Sequence, residues 1–312
     1  MKASAATVPT SAASTISRGI VGTDVGPHVA SIDARWLMAY AAALGERDPR
    51  YFDTSAPEGP LAHPLFPVCY EWPLALAVRA AAIAPAQAPL GVHATHRLHV
   101  HRAPRAGDVL TTTARVTGVE PRRAGTLVTV RFTTVDGTGG PVTTTDYGSV
   151  YRGVPCDPPD LSIPDVAGTE SAGSPGSAAG PRVGAGPGNH EPEPAAWSEE
   201  VEIPATAAHV YTECARIWNP IHTDVAVARA AGLPGLILHG TATLALAVSR
   251  VVAHDLGGDP ERVRGVAARF SGVVLMPSRI RVRSGGPGGQ AVSFDAVDSA
   301  GAPVVNQGIV QT

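Results

Sequence analysis

Charge, cysteine and long apolar runs are all scarce in this chain. Only 16% of its 312 residues are charged and the formal net charge is −3. That excludes a basic surface for nucleic acid or for an anionic membrane. The three cysteines, Cys69, Cys156 and Cys214, are far apart and odd in number, which excludes a disulfide framework and a cysteine zinc site. No apolar run approaches the roughly 18 residues needed to span a bilayer. Ala, Gly, Pro and Val are abundant instead. The N-terminal stretch MKASAATVPTSAASTISRG has one lysine and no apolar centre, so it is a poor secretory leader. These features point to a reduced, cytoplasmic location.

Composition divides the chain. Residues 1–22 read as a disordered tail, and residues 155–196 as a linker dominated by Gly, Pro, Ser and Ala. Such a segment buries too little surface to offset its ordering entropy. Two domain-sized pieces remain, 23–154 and 197–312. They look like one another. A shift of 171 residues puts Tyr40 on Tyr211, Pro49 on Pro220, Asp53 on Asp224 and Ile32 on Ile203. Each piece then has an apolar helix, YEWPLALAVRAAAIA in the first and GTATLALAVSRVVAHDL in the second. Four segments of β-branched alternation with Gly-rich turns follow in each, HATHRLHVHR being the first of the eight. A helical front followed by hairpin-linked strands predicts an α+β fold with antiparallel sheet packed on one long helix, twice over.

Chemistry-bearing residues concentrate in RIWNPIHTD and LILHGTATL. Pro220 pins the backbone before His222, whose ordinary pKa near 6.5 suits proton transfer. Asn219 offers an amide to hold the loop or a water. His239 precedes Gly240, and Gly240 opens a helix, where free N–H groups and the dipole favour negative charge. Together these residues offer a proton-transfer group and a donor for developing negative charge.

NPIHTD and ARAAGLPGLILHG resemble the MaoC-like dehydratases and the type-2, (R)-specific enoyl-CoA hydratases. LGERDPRYFD and HRLHVHRAPRAGDVL resemble that family's N-terminal half, which shapes the acyl tunnel. The resemblance implies a double hot-dog fold: two antiparallel sheets joined edge to edge, each wrapping a long central helix. It implies no cofactor and no metal, the substrate being carried on coenzyme A or on an acyl-carrier protein. It makes Gly240 the oxyanion donor and His222 half of a His–Asp dyad. The aspartate's position holds Ile217, within Ala215-Arg216-Ile217 where the family has Ser-Gly-Asp. Losing one member of an acid/base pair costs about 10²–10⁴ in rate.

Three readings follow. The chain hydrates acyl thioesters with His222 alone or with another acid, Glu213 or Asp224; Asp224 has its own family counterpart, which marks it as structural. Alternatively the scaffold serves another His-assisted reaction, a conjugate addition or cyclisation. In the third reading it only binds acyl thioesters or pairs with another subunit. Ile217, Trp218, Arg216 and His239 are candidates to contact substrate, His239 being also a brace for the turn before Gly240. Glu46 and Tyr51 occupy the first-half positions of Ile217 and His222, but that half usually lacks the dyad. Alternation puts His93, His99 and His101 on one strand face, without a carboxylate or cysteine at ligand spacing. Arg264, Arg269 and Arg279 are candidate contacts for the carrier's phosphates. One chain already makes the paired unit, so a monomer and a homodimer of such units both stay open.

Overall fold

A computed structural model describes residues 15–157 and 195–312. The first half runs β1 (Asp24–Ser31), α1 (Ala34–Ala43), α2 (Pro67–Ala82), β2 (Gly91–Val100), β3 (Val109–Arg122), β4 (Gly125–Val135) and β5 (Pro141–Arg152). The second runs β6 (Trp197–Ile203), α3 (Ala207–Ala215), α4 (Val225–Ala230), α5 (Gly240–Asp255), β7 (Gly265–Phe270), β8 (Ser278–Gly288), β9 (Ala291–Asp298) and β10 (Pro303–Gln311). The edge strands β1 and β6 lie in segments to which the sequence assigned no strand. Both carry Gly, Pro or acidic residues that blur the alternation expected of a half-buried strand.

All ten strands form one sheet in the order β1-β3-β4-β5-β2-β7-β10-β9-β8-β6. Read outward from the β2–β7 seam, each half repeats the same order, which is the edge-to-edge joining expected. The seam is antiparallel, with Thr95 opposite Arg269 and His99 opposite Gly265. The 171-residue repeat becomes physical at Tyr40 and Tyr211, whose hydroxyls lie 3.3 Å apart. Ile32 and Ile203 are both 2% exposed at the entry to their helices.

Local chemistry explains the elements that matter for the site. The strand β3 buries Leu110, Thr112, Ala114 and Val116 on one face, and a bulge between Val116 and Gly118 then brings Val119 inward. Pro67 starts α2, where its missing N–H costs no helical bond. Asp224 caps α4, its Oδ1 accepting from the N–H groups of Ala226 at 2.8 Å and Val227 at 3.3 Å. That bears out its structural role.

Three boundaries or alignments differ from expectation. Residues 15–22, assigned to the disordered tail 1–22, are ordered: Ile16 is buried and bridges Cys156, and Arg18–Ile20 form a 3-10 turn. Cys156 thereby draws the near edge of the expected linker 155–156 onto the first half, and residues 195–196 lead directly into β6. The rest of the expected tail and linker, 1–14 and 158–194, lies outside the described residues. Third, His93 does not share a face with His99 and His101. The register of β2 shifts between His93 and Thr95, so His93 turns inward while His99 and His101 stay exposed.

Candidate active site

A cavity of about 170 Å³ is walled by both halves of the chain. The second half contributes Ile217, Asn219, His222, His239 and Gly240, five of the residues singled out by the sequence. His222 closes the 3-10 turn Pro220–His222 and its residue is 8% exposed. Its Nδ1 lies 2.9 Å from the Ile237 carbonyl oxygen. A carbonyl only accepts, so Nδ1 carries the proton and donates. The lone pair is therefore on Nε2, which has no bonding partner among the described residues. Burial pushes the His222 pKa down to about 4, against the smaller upward pull of that carbonyl. The ring is neutral at pH 7.

His239 stacks on His222, with ring centroids 3.7 Å apart and planes at 26°. It is the N-cap residue of α5 but gives no side-chain cap. Its Nε2 sits 3.3 Å from the Thr212 hydroxyl. Burial, and then the neighbouring His222, hold its pKa well below the ordinary value. With no side-chain cap, the first N–H groups of α5 are left to the cavity, where the helix dipole favours negative charge. Glycine at position 240 eases close approach: a Cβ there would sit 3.3 Å from the Phe270 ring, a tight contact that the ring would have to yield to.

The other two candidates lie elsewhere. Trp218 is 63% exposed and off the cavity wall. Arg216 adopts a left-handed conformation (φ 58°) to end α3. Its guanidinium lies 4.0 Å over the Trp36 ring and 3.6 Å from Asp33, directed away from the cavity. Glu213 and Asp224 are both exposed and line no part of the cavity, so neither stands in for the missing acid. Arg264, Arg269 and Arg279 are also off its wall. Arg279 pairs with Glu202 at 3.0 Å.

Glu46 and Tyr51 belong to a separate buried network. The Leu65 N–H donates to Nδ1 of His63 at 3.0 Å, which leaves the proton on Nε2. Nε2 then faces Ser249 Oγ at 3.1 Å, and the Ser249 hydroxyl donates to Glu46 at 2.5 Å. The imidazole is thus a donor to Ser249 and not its base, the reverse of a nucleophile triad. Tyr51 stacks on His63, and burial pushes its pKa far up. This network ties α5 to the first half.

The first half walls the cavity with Glu71, Arg79, His93 and Tyr147, of which only His93 stood out in the sequence, and there as one of a strand-face cluster. Tyr147 and His93 stack with centroids 3.7 Å apart. The available signal was Glu71 itself, a lone carboxylate in the apolar run YEWPLALAV. Among the described residues, no group of three or more His, Cys, Asp or Glu is arranged to hold a metal ion.

Fold and cavity together describe a double hot-dog protein with a candidate site walled by both halves. Residues 193–299 match the MaoC like domain, and residues 19–145 match the FAS1-like, dehydratase domain region. The chain thus joins a half that matches the MaoC like domain to a half that matches a FAS1-like dehydratase region. It is similar to the fatty acid synthase beta subunit pkiC of Emericella nidulans, 44% identical over 66 residues, which are 21% of this chain and 4% of that one. It is similar to the peroxisomal enoyl-CoA hydratase 2 of Arabidopsis thaliana, 40% identical over 53 residues, or 17% of each chain. The chain therefore spans only a small part of the curated relatives it matches. In fold it resembles a MaoC-like dehydratase from Phytophthora capsici, with a TM-score of 0.73 and 23% identity over 94% of this chain and 95% of that one.

Proposed function

We propose that the protein adds water to, or removes it from, an acyl thioester carried on coenzyme A or an acyl-carrier protein. The observation that carries this reading is the His222 tautomer. The Ile237 carbonyl fixes the proton on Nδ1, so an unpaired Nε2 lone pair shares a cavity with the uncapped start of α5. In the hydration direction Nε2 accepts a proton from water as the oxygen bonds C3 of the enoyl group. Charge then builds on the thioester oxygen, and the Gly240 N–H receives it. Asn219, on the same wall, is suited to hold the water. Apolar side chains such as Val68, Ile221 and Val274 line much of the rest, which suits an acyl group. No residue of this scheme calls for a metal or organic cofactor.

The likeness to enoyl-CoA hydratase 2 supports the same substrate class. Among the described residues, no helix is long and apolar enough to cross a membrane. The test is to mix the protein with crotonyl-CoA and longer 2-enoyl-CoAs and follow the enoyl absorbance. Turnover abolished by His222→Ala supports the reading. An inactive wild type across that series overturns it.

A further inference from the structure

Ile217 leaves His222 without the partner acid that the family resemblance implies, yet the cavity is not without a carboxyl group. Glu71 is its only carboxylic residue among the described lining residues, and it comes from the other half of the chain. It projects from α2 on the stripe formed by Val68, Glu71, Trp72, Ala75 and Arg79, the spacing of one helical face. The residue is 3% exposed. Its single hydrogen-bond partner is the Thr145 hydroxyl, which donates to Oε1 at 2.6 Å, and no cation pairs with it among the described residues. A buried carboxyl group with so little support is unfavourable to folding, so the fold itself gives no reason to keep it.

The internal repeat makes that concrete. The run LALAV occurs at 74–78 and again at 244–248, so Glu71 falls on Thr241, and both line the cavity. One half holds a neutral hydroxyl residue at this place. The other holds a carboxyl group where the helix faces the cavity of His222.

We infer that Glu71 is the second acid/base group of this site, moving the proton at the α carbon of the thioester while His222 handles the water. This rests on the hydratase reading above. In hydration, the water O–H bond breaks, its proton passes to Nε2 of His222, and its oxygen bonds C3. The π pair of the C2–C3 double bond shifts toward C2 and the thioester oxygen. The Glu71 carboxyl O–H then breaks as the C2–H bond forms. The proton on His222 returns to the Glu71 carboxylate through solvent, so one water is added and both groups are restored. Dehydration runs the same steps backward.

Burial raises the Glu71 pKa to about 7, opposed by the Thr145 bond, so both protonation states are accessible near neutrality. The titratable and charged groups around it are few. Cys69, Tyr70 and Arg79 share its helix, and Tyr147 and His93 line the cavity from β5 and β2. His222 and His239 complete the set, and burial keeps them and His93 neutral at pH 7.

Two reactions test the inference. One is hydration of crotonyl-CoA, and the other is exchange of the α protons of butyryl-CoA in D₂O, which needs no hydroxyl chemistry. Glu71→Gln, with its fold checked by circular dichroism, should lose about 10²–10⁴-fold in both. Thr145→Val removes the bond that favours the carboxylate, so the high-pH limb of the hydration profile should move to higher pH. A purely structural glutamate would move no limb. If Glu71→Gln hydrates within about threefold of the wild type, or Thr145→Val leaves the profile unmoved when Glu71→Gln does not fold, the role assigned to Glu71 is overturned and the hydratase reading stands. If the wild type exchanges α protons through Glu71 but hydrates nothing, the hydratase reading falls alone. If it does neither, both fall.

Discussion

An aspartate placed at position 217 should take over part of the work assigned to Glu71. Ile217 is 3% exposed, packs in the main core and lines the cavity beside His222 and His239. Replacing it removes buried aliphatic surface and adds a buried carboxyl, at a cost of about 3–5 kcal/mol. At an unfolding entropy of about 2.1 cal/mol/K per residue, a 312-residue chain then loses roughly 5–8 °C in Tm. In return the new carboxylate sits near an imidazole whose pKa burial has lowered to about 4, and opposite charge should draw that value back up. His222 basicity can be read from the pH dependence of its ring resonances by NMR. The kinetic test is a double variant. Glu71→Gln alone should fall by about 10²–10⁴ in crotonyl-CoA hydration, and Glu71→Gln with Ile217→Asp should recover at least about tenfold of that loss. The reasoning fails if the folded double variant is no faster than Glu71→Gln although His222 has become more basic. Failure of His222 to change at all would remove position 217 from the neighbourhood of the imidazole.

Further outcomes are expected. His222→Gln should abolish hydration, whereas Tyr51→Phe, which keeps the stack on His63 in a network apart from the cavity, should leave the rate within about twofold. Trp218→Ala should change activity by less than about twofold and stability by less than about 0.5 kcal/mol, measured by denaturant titration, because the ring is exposed and off the cavity. Gly240→Ala keeps the N–H but drives a Cβ against Phe270, so KM should rise more than kcat falls, as steady-state kinetics would read. Acid should destabilise the fold early. Burial depresses His63 to about 3, and His96 and His222 to about 4, each from an ordinary 6.5. Since the unfolded chain binds those protons first, their stabilising contribution is present above pH 6.5 and is lost as pH falls toward 4. Each group contributes a slope of up to about 1.4 kcal/mol per pH unit. Thermal melts from pH 7 to pH 4 that stay flat would contradict it.

The duplication, the paired long helices and most of the strands were legible in the sequence because they follow from local spacing. A Pro-pinned turn at Pro220 and a glycine at the head of a helix state their geometry within a few residues, while the pairing of His222 with Gly240 in one site is what the family resemblance implied. Trp218 and Arg216 sit beside His222 in sequence but face away from it. Only the left-handed end of α3, which sends the Arg216 guanidinium to Trp36, decides that. The inward turn of His93 depends on a bulge in β2, and a one-residue slip reverses every side chain beyond it. Glu71 is the clearest case. By sequence it is a lone acid in an apolar helix, 151 residues before His222. It becomes part of the site because β2 pairs with β7 and makes one sheet of two halves, so a cavity wall from the first half closes over the imidazole of the second. Spacing along a chain encodes what neighbours do to one another. Which distant groups share a cavity is set by packing, and that exists only once both halves have folded together.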